Sequence, residues 1–149
     1  MKKIGNYFID TSLYYDTHHN FWLKENNGFV RIGFHPLLQE SSGSFVAIVF
    51  ENENQTLSRG QTFGSVEAEK HVAQLLLPIS GKIICTNDKV IENPRLLNTD
   101  PYGEGWLVEV ESTDFQHDKS NLISGEQAIT DWILEEIKKY EDKGWIARP

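Results

Sequence analysis

Residues 62–84 read T-F-G-S-V-E-A-E-K-H-V-A-Q-L-L-L-P-I-S-G-K-I-I, and they carry the clearest structural signal in the 149-residue chain. Two apolar runs, at 63–66 and 72–77, flank a charged tip at 67–71, which is the sequence form of a β-hairpin. A lysine at a turn is ordinarily only a solvated charge that discourages edge pairing. Here the flanking strands are too hydrophobic for an ordinary surface hairpin. The pattern therefore predicts a hairpin held by a core, with Lys70 presented to solvent at its tip.

Further short apolar segments lie on either side of the hairpin. The segments predicted as strands are 21–24, Phe29–Phe34, Phe45–Phe50, 82–84, 90–91 and 106–110. Phe45–Phe50 is apolar at every position, which predicts a strand that is buried on both faces. Single helical turns are expected at 36–40 and 95–98, and Pro78 and Gly81 mark the turn before the strand at 82–84.

The C-terminal segment 124–143 is predicted to form an amphipathic helix. Ser124 and Gln127 have the spacing of a capping box, and Gly144 is a plausible stop. One stripe carries the apolar residues Ile129, Trp132, Ile133, Ile137 and Tyr140. Residues 1–19 are aromatic and polar without a clean period, and we expect an extended arm packed on the domain. Many short strands before one helix suggest a small β-sandwich or flattened barrel with a helix on its side.

Length, charge and cysteine content limit the possible functions. The chain, 1–149, has the length of one domain. Its net charge of −8 argues against a nucleic-acid partner, because phosphate binding needs a basic face. The one cysteine, Cys85, excludes an internal disulfide and by default is a buried, unreactive thiol. No apolar run reaches membrane-spanning length, so we expect no membrane association and a cytoplasmic location.

Motifs for independent catalysis are weak. His18 and His19 lie near Asp10 and Asp16, but no second cluster has metal-ligand spacing, so no metal site is predicted. The sequence Ser-Ser-Gly at 41–43 is not a nucleophile elbow. We predict no catalytic residues, and a small hydrolase lacks supporting geometry.

The hairpin resembles the lipoyl-attachment hairpin of the glycine cleavage system H protein family, whose pattern runs F-G-x-V-E-S-x-K and, after an apolar strand, S-P-x-S-G-x-V. The matching residues are Phe63, Gly64, Val66, Glu67, Lys70, Pro78, Ser80 and Gly81. A second segment, D-P-Y-G-E-G-W at 100–106, matches a loop of the same family, and N-P-R-L-L-N at 93–98 resembles the segment before it. The resemblance extends from about Trp22 to the C-terminal helix.

The resemblance implies a mainly β fold, the barrel-sandwich hybrid of lipoyl and biotinyl carriers, with a C-terminal α-helix. It implies that lipoate is attached covalently, by an amide bond, to Lys70. It also implies that Glu67, Glu69 and Gly81 serve recognition by a ligase or a partner. A last set of residues is implied to contact the arm or to shape its loop: Asp100, Tyr102, Gly103, Gly105 and Trp106.

The implied role is that of a carrier without its own catalysis. The expected partners are a lipoate ligase or lipoyl transferase, a pyridoxal-phosphate glycine decarboxylase, a folate-dependent aminomethyltransferase and dihydrolipoyl dehydrogenase. An aminomethyl group would travel between them on the lipoyl-lysine arm. We expect a monomer, because a shuttling carrier must keep its docking face free.

Several departures from the family pattern lie near the lysine. Asn20 and Phe21 stand where the family usually has His and Glu, His71 takes a position often held by Ala, and Gln74 replaces an acidic residue. These changes leave open an H-like lipoate-binding protein that serves a heterodisulfide-reductase-like sulfur-oxidation complex. An unmodified interaction domain is a third reading. A biotin carrier is disfavoured, because Glu69 and His71 replace the methionines that usually flank the biotinyl lysine.

Overall fold

The computed structural model describes residues 1–147. Their strands are β1 (Lys2–Ile4), β2 (Tyr7–Ile9), β3 (Tyr14–Asp16), β4 (Phe21–Asn26), β5 (Phe29–Phe34), β6 (Phe45–Phe50), β7 (Thr56–Leu57), β8 (Thr62–Ala68), β9 (Val72–Leu76), β10 (Gly81–Thr86) and β11 (Val108–Ser112). The helices are α1 (Leu38–Ser42), α2 (Asp88–Glu92), α3 (Leu96–Thr99), α4 (Phe115–Asp118), a 3₁₀ turn (Lys119–Asn121) and α5 (Glu126–Asp142).

Two sheets enclose the main core. One has the order β3-β4-β5-β11-β10-β7 and the other has the order β6-β8-β9, with every pair antiparallel. Alternating residues of β5, Val30, Ile32 and Phe34, point into this core and are buried. The predicted mainly β fold with a C-terminal helix is confirmed.

Strand β6 forms where Phe45–Phe50 predicts it, but the prediction that both of its faces are buried is wrong. Phe45 and Ile48 are buried, whereas Val46 and Val49 are 49% and 56% exposed. The sheet β6-β8-β9 packs one face on the core and leaves the other to solvent, as antiparallel sheets often do. An unbroken apolar run therefore does not require a second covering layer here.

The strand predicted at 90–91 is also wrong, because helix α2 occupies this segment. Asn87 caps the helix by accepting a hydrogen bond from the backbone N–H of Lys89 (3.1 Å). The same amide group donates to the carbonyls of Glu104 (2.8 Å) and Trp106 (2.7 Å). These long-range bonds favour a short helix over a strand at this position. The helix buries the side chain of Val90 in the main core.

A second, smaller core lies under helix α5. Ile129, Ile133 and Tyr140 of the predicted stripe are buried there, and Trp132 and Ile137 are partly buried against the same cluster. The other buried members come from the N-terminal strands and their neighbours: Ile4, Ile9, Leu13, Tyr15, Trp22 and Leu37. The segment predicted as an extended arm thus forms the β1–β2 hairpin and strand β3, and it covers the helix.

The capping box predicted at the start of α5 does not form. The helix begins at Glu126 with Gly125 as its N-cap and without a side-chain cap. The side chain of Gln127 instead donates to Asp131 (2.9 Å) along the helix surface. At the other end, Gly144 has a φ of 77°, so it stops the helix in the left-handed conformation that glycine permits.

Candidate functional site

The tip of the β8–β9 hairpin presents Lys70. Glu67 and Val72 form the last pair of the ladder, and the N–H of Ala68 donates to the carbonyl of His71 (2.9 Å) to close the turn. The Lys70 side chain is exposed, and within residues 1–147 its amine makes no hydrogen bond or ion pair. The amine is therefore accessible from solvent.

The backbone of the tip is held by the end of helix α1 and the loop that follows it. The N–H of Lys70 donates to the carbonyl of Ser42 (3.1 Å), and the N–H of Glu69 donates to the carbonyl of Ser44 (3.0 Å). In return, the Ser44 N–H donates to a carboxylate oxygen of Glu69 (2.6 Å). We call these three bonds the tip clamp. They connect segments that lie about 25 residues apart in the chain, so they anchor the lysine to the body of the domain.

Helix α3 holds the clamp from its other side. Asn98 accepts a hydrogen bond from the N–H of Phe45 (3.0 Å) and donates one to the carbonyl of Gly43 (3.1 Å). Gly43 has a φ of 73°, and a Cβ there would lie only 3.0 Å from the Glu69 carboxylate. Sequence reasoning missed this role of Asn98, although the residue belongs to the segment at 93–98 that carries the family resemblance.

The pKa of Glu69 gives the first testable prediction. The hydrogen bond from Ser44 to the exposed Glu69 carboxylate lowers the pKa of this group below its usual value. A lowered pKa means that the clamp's contribution is complete above the unfolded-state pKa and is lost as the pH falls through the folded-state pKa. We expect the Ser44 amide resonance to move only when the pH falls below the ordinary range for glutamate, in an NMR titration. The Glu69→Gln variant is the control and should show no such step; a Glu69 midpoint at or above the ordinary value would contradict the prediction.

Two further residues with a predicted recognition role differ in their surroundings. Glu67 is exposed on the outer face of the hairpin, next to Val72, which is 70% exposed. Gly81 is buried in β10 between β7 and β11, and a Cβ there would lie 2.5 Å from the carbonyl oxygen of Glu111. Close packing against β11 therefore explains why residue 81 is a glycine. A role of Glu67 or of Gly81 in recognition stays a prediction.

The loop at 100–106 is anchored to the second core. The Tyr102 hydroxyl is hydrogen-bonded to the hydroxyl of Tyr15 (2.7 Å), and its ring packs on Trp22 with centroids 5.9 Å apart. The Trp22 indole N–H donates to the carbonyl of Pro101 (3.0 Å). Burial raises the pKa of Tyr102 to about 12, so this tyrosine stays protonated at neutral pH.

The remaining predicted residues of this loop shape its turn. The Asp100 carboxylate accepts from the N–H of Glu104 (2.9 Å), and the Asp100 carbonyl accepts from Gly105 (2.9 Å). A Cβ on Gly103 would lie 2.5 Å from the Asp100 carboxylate, and one on Gly105 would lie 2.4 Å from a backbone carbonyl. Trp106 stacks under the guanidinium of Arg31 at 4.6 Å. These contacts are all within the scaffold, and contact with a bound arm stays a prediction.

A pocket of about 190 Å³ opens beside the tip. Its polar lining consists of His18, His19, Asn20, Ser42, His71 and Gln74, and apolar residues of the main core complete it. None of the described residues that line it is Asp or Glu. The buried hydroxyl of Ser42 has no hydrogen-bond partner within residues 1–147.

The other candidate groups of the sequence are the histidines at 18–19 and the thiol of Cys85. Asp16 accepts a hydrogen bond from the imidazole of His19 (2.9 Å), but within residues 1–147 no three His, Cys, Asp or Glu side chains are arranged to hold a metal ion. Cys85 is half-buried, and burial together with nearby carboxylates raises the pKa of its thiol. No helix in the described part of the chain has the length and apolar character needed to span a membrane.

The two packed β-sheets with a C-terminal helix place the chain in the barrel-sandwich hybrid class of folds. A solved structure of this class, a glycine cleavage system H protein from Mycobacterium marinum, matches with a TM-score of 0.65 and 32% identity, over 70% of this chain and 87% of that one. A sequence profile of the family described as "Glycine cleavage H-protein" matches residues 13–135. The chain therefore belongs to the glycine cleavage H-protein family.

Curated relatives carry the same family name. A "Glycine cleavage system H protein" of Prochlorococcus marinus (strain AS9601) is 44% identical over 101 residues, which cover 68% of this chain and 77% of the relative. Its counterpart in Mycolicibacterium vanbaalenii is 35% identical over 120 residues, covering 79% and 92%. A "Glycine cleavage system H protein 2" of Aquifex aeolicus is 29% identical over 136 residues, covering 91% and 81%. The family is one of lipoyl carriers, and its members are carrier subunits.

Proposed function

We propose that Lys70 carries a lipoyl group in amide linkage and that the protein works as the carrier subunit of a multienzyme system. The observation that carries this proposal is the exposed, unpaired amine at the clamped tip. Such an amine fits the attachment of a carboxylic acid, because it is accessible to a ligase and its loss of charge breaks no ion pair. Lipoate, when bound, supplies thiols that accept and release the transported group.

In this proposal the residues of the chain tether the lipoyl arm and orient it toward partner enzymes. The bonds of the tip clamp fix the origin of the arm, so that each visit to a partner's active site starts from a defined position. Tethering makes these visits effectively intramolecular and raises the local concentration of the transported group. Glu67 and Glu69 beside the lysine would mark the tip for a ligase or lipoyl transferase.

The names of the relatives support glycine cleavage as the pathway. The transported group would then be an aminomethyl unit, delivered by a pyridoxal-phosphate glycine decarboxylase and passed to a folate-dependent aminomethyltransferase. Dihydrolipoyl dehydrogenase would reoxidise the arm. A monomer in the cytoplasm is consistent with this role and stays a prediction.

A second candidate is an H-like carrier for a heterodisulfide-reductase-like sulfur-oxidation complex. The observation that favours it is the pocket beside the tip, because the part of its lining within residues 1–147 contains imidazole and amide groups and no carboxylate. A protonated amine would find no charged partner among these groups, whereas a sulfur-borne oxyanion would find donors.

An exchange assay separates the two candidates. The protein is lipoylated with a lipoate ligase, its loading is checked by intact mass, and it is mixed with a competent glycine decarboxylase and labelled bicarbonate. Glycine cleavage predicts exchange of the glycine carboxyl carbon at a rate that depends on the loaded protein. The unloaded protein is the control. Fully loaded protein that supports no exchange would overturn the pathway while leaving the carrier role intact.

A further inference from the structure

We propose that the outer face of the sheet β6-β8-β9, extended by the groove between β6 and helix α2, is the surface on which the decarboxylase docks when it loads the arm. The partner that fits this surface presents an apolar ridge with lysine or arginine on its flanks. The inference rests on the proposed attachment of the arm at Lys70. It adds the place where the enzyme is seated and the chemistry by which the two proteins recognise each other.

Exposed apolar side chains are concentrated on this outer face. Ala47 and Val49 of β6 pair with Glu67 and Ser65 of β8, so these four side chains point away from the core. Val72 of β9 pairs with Glu67 and continues the same row. Residues 1–147 contain nine large hydrophobic side chains that are exposed, and four of them belong to this surface: Val46, Val49, Val72 and Ile91. A contiguous apolar surface of this kind marks an interaction site, whereas single exposed apolar residues do not.

A groove of about 350 Å³ extends the outer face toward helix α2. Its apolar lining consists of Ile48, Val49, Phe50 and Ile91. Its polar lining includes Glu53, whose carboxylate accepts hydrogen bonds from the N–H (3.3 Å) and the hydroxyl (3.1 Å) of Thr86. These bonds hold the loop that follows β6, so the groove exists before a partner arrives. A preformed concave apolar surface suits the ridge of side chains on another protein.

Unpaired carboxylates border the apolar surface. The N–H of Glu51 continues the ladder to the carbonyl of Phe63 (2.9 Å), which places the Glu51 side chain on the outer face after Val49. Asp88 lines the groove, and Glu92 lies one turn further along the same side of α2. Glu51, Asp88 and Glu92 are exposed, and within residues 1–147 none of them forms an ion pair.

This border selects the charge of the partner. A basic flank on the partner would be attracted by the three carboxylates, which raises the rate of encounter and fixes the orientation of docking. A second copy of this chain would bring two acidic borders together, which is unfavourable. The outer face therefore fits a basic protein better than it fits itself.

The position of the outer face connects it to the lysine. Glu67 and Val72 form the last pair of the ladder before the tip that carries Lys70. The apolar surface thus runs from the groove at α2, through Val49 and Ala47, to the attachment point of the arm. A protein seated on it would have that attachment point at the edge of its own contact surface. Apolar contact would supply the affinity, and the carboxylates would supply the orientation.

The test separates docking from chemistry in the exchange assay with the loaded protein and the glycine decarboxylase. Val49→Ser removes an apolar contact, and Glu92→Lys reverses a charge at the end of α2, where a lysine suits the helix dipole. For each variant we expect the KM of the decarboxylase for the carrier to rise about tenfold, because contacts at the face are lost. The kcat at saturating carrier should stay unchanged, because the arm is intact. Intact mass and circular dichroism confirm equal loading and folding.

Matched variants on helix α5 are the controls. Leu134→Ser and Glu135→Lys make the same chemical changes at exposed positions away from the outer face, and both should keep the KM of wild type. Added salt should raise the KM of wild type, because it screens the attraction, and should raise that of Glu92→Lys less.

Three results would overturn the inference alone. They are an unchanged KM in both face variants, an equal rise in the α5 controls, and a wild-type dimer in sedimentation that Val49→Ser dissociates, since the face would then belong to a second copy. Loaded wild type without exchange would overturn the pathway and this partner together. Absence of lipoate on Lys70 would overturn the proposed function as well.

Discussion

Replacing Lys70 by Arg is expected to abolish lipoylation and to leave the fold unchanged. Arginine stays protonated in proteins and cannot act as the nucleophile that forms an amide. The tip itself should persist, because the clamp uses the backbone N–H of Lys70 and the Glu69 side chain, both of which the variant keeps. Incubation with a lipoate ligase, lipoate and ATP, followed by intact mass, should show complete loading of wild type and none of the variant.

Two controls make this experiment specific to the tip. Lys82→Arg changes another exposed lysine of the same sheet system and should be loaded as well as wild type. Thermal unfolding of Lys70→Arg followed by circular dichroism should match that of wild type. Lipoate found on Lys70→Arg at any other lysine would disprove Lys70 as the attachment site.

Replacing Gly81 by Ala is expected to destabilise the protein by about 3 kcal/mol, as overpacking of a tightly filled site does. The added Cβ would lie 2.5 Å from the Glu111 carbonyl oxygen and 2.5 Å from a methyl carbon of Val110. Because β10 pairs with strands on both sides here, the new methyl group cannot be relieved without separating the ladder. Urea unfolding followed by fluorescence measures the loss, and the exposed neighbour Lys82→Ala should lose little.

The same variant distinguishes packing from recognition at Gly81. If Gly81 serves the scaffold, Gly81→Ala should be loaded by the ligase at a normal rate under conditions where the variant is folded. A variant that is as stable as wild type but poorly loaded would instead support the recognition role and contradict the packing argument.

Local patterns in the sequence predicted the hairpin and the helix well. The apolar runs around Lys70 predict strands, and the apolar stripe on α5 predicts a helix. Both patterns can be recognised within one segment, without information about residues far away in the chain. Phe45–Phe50 was misjudged because an apolar run reports the hydrophobicity of a strand but not how many layers cover it. The helix at Asp88–Glu92 was missed because Asn87 selects it through bonds to carbonyls about 17 residues away.

The parts of the candidate site that sequence reasoning missed depend on long-range contacts. The clamp joins Ser42 and Ser44 to the tip, and Asn98 holds the clamp from another helix. No local spacing connects these residues. The unpartnered hydroxyl of Ser42 is visible only once the core around it has been assembled.

The clamp has a consequence for how the carrier searches for its partners. Because the clamp holds the backbone of Lys70, an arm attached there, as we propose, would have a fixed point of attachment, and its free end would sweep a shell centred on that point. The timing of each encounter would then depend on torsions within the arm and on rotation of the whole particle. A more mobile attachment point would enlarge the volume that the end of the arm samples. The local concentration of the transported group would then fall.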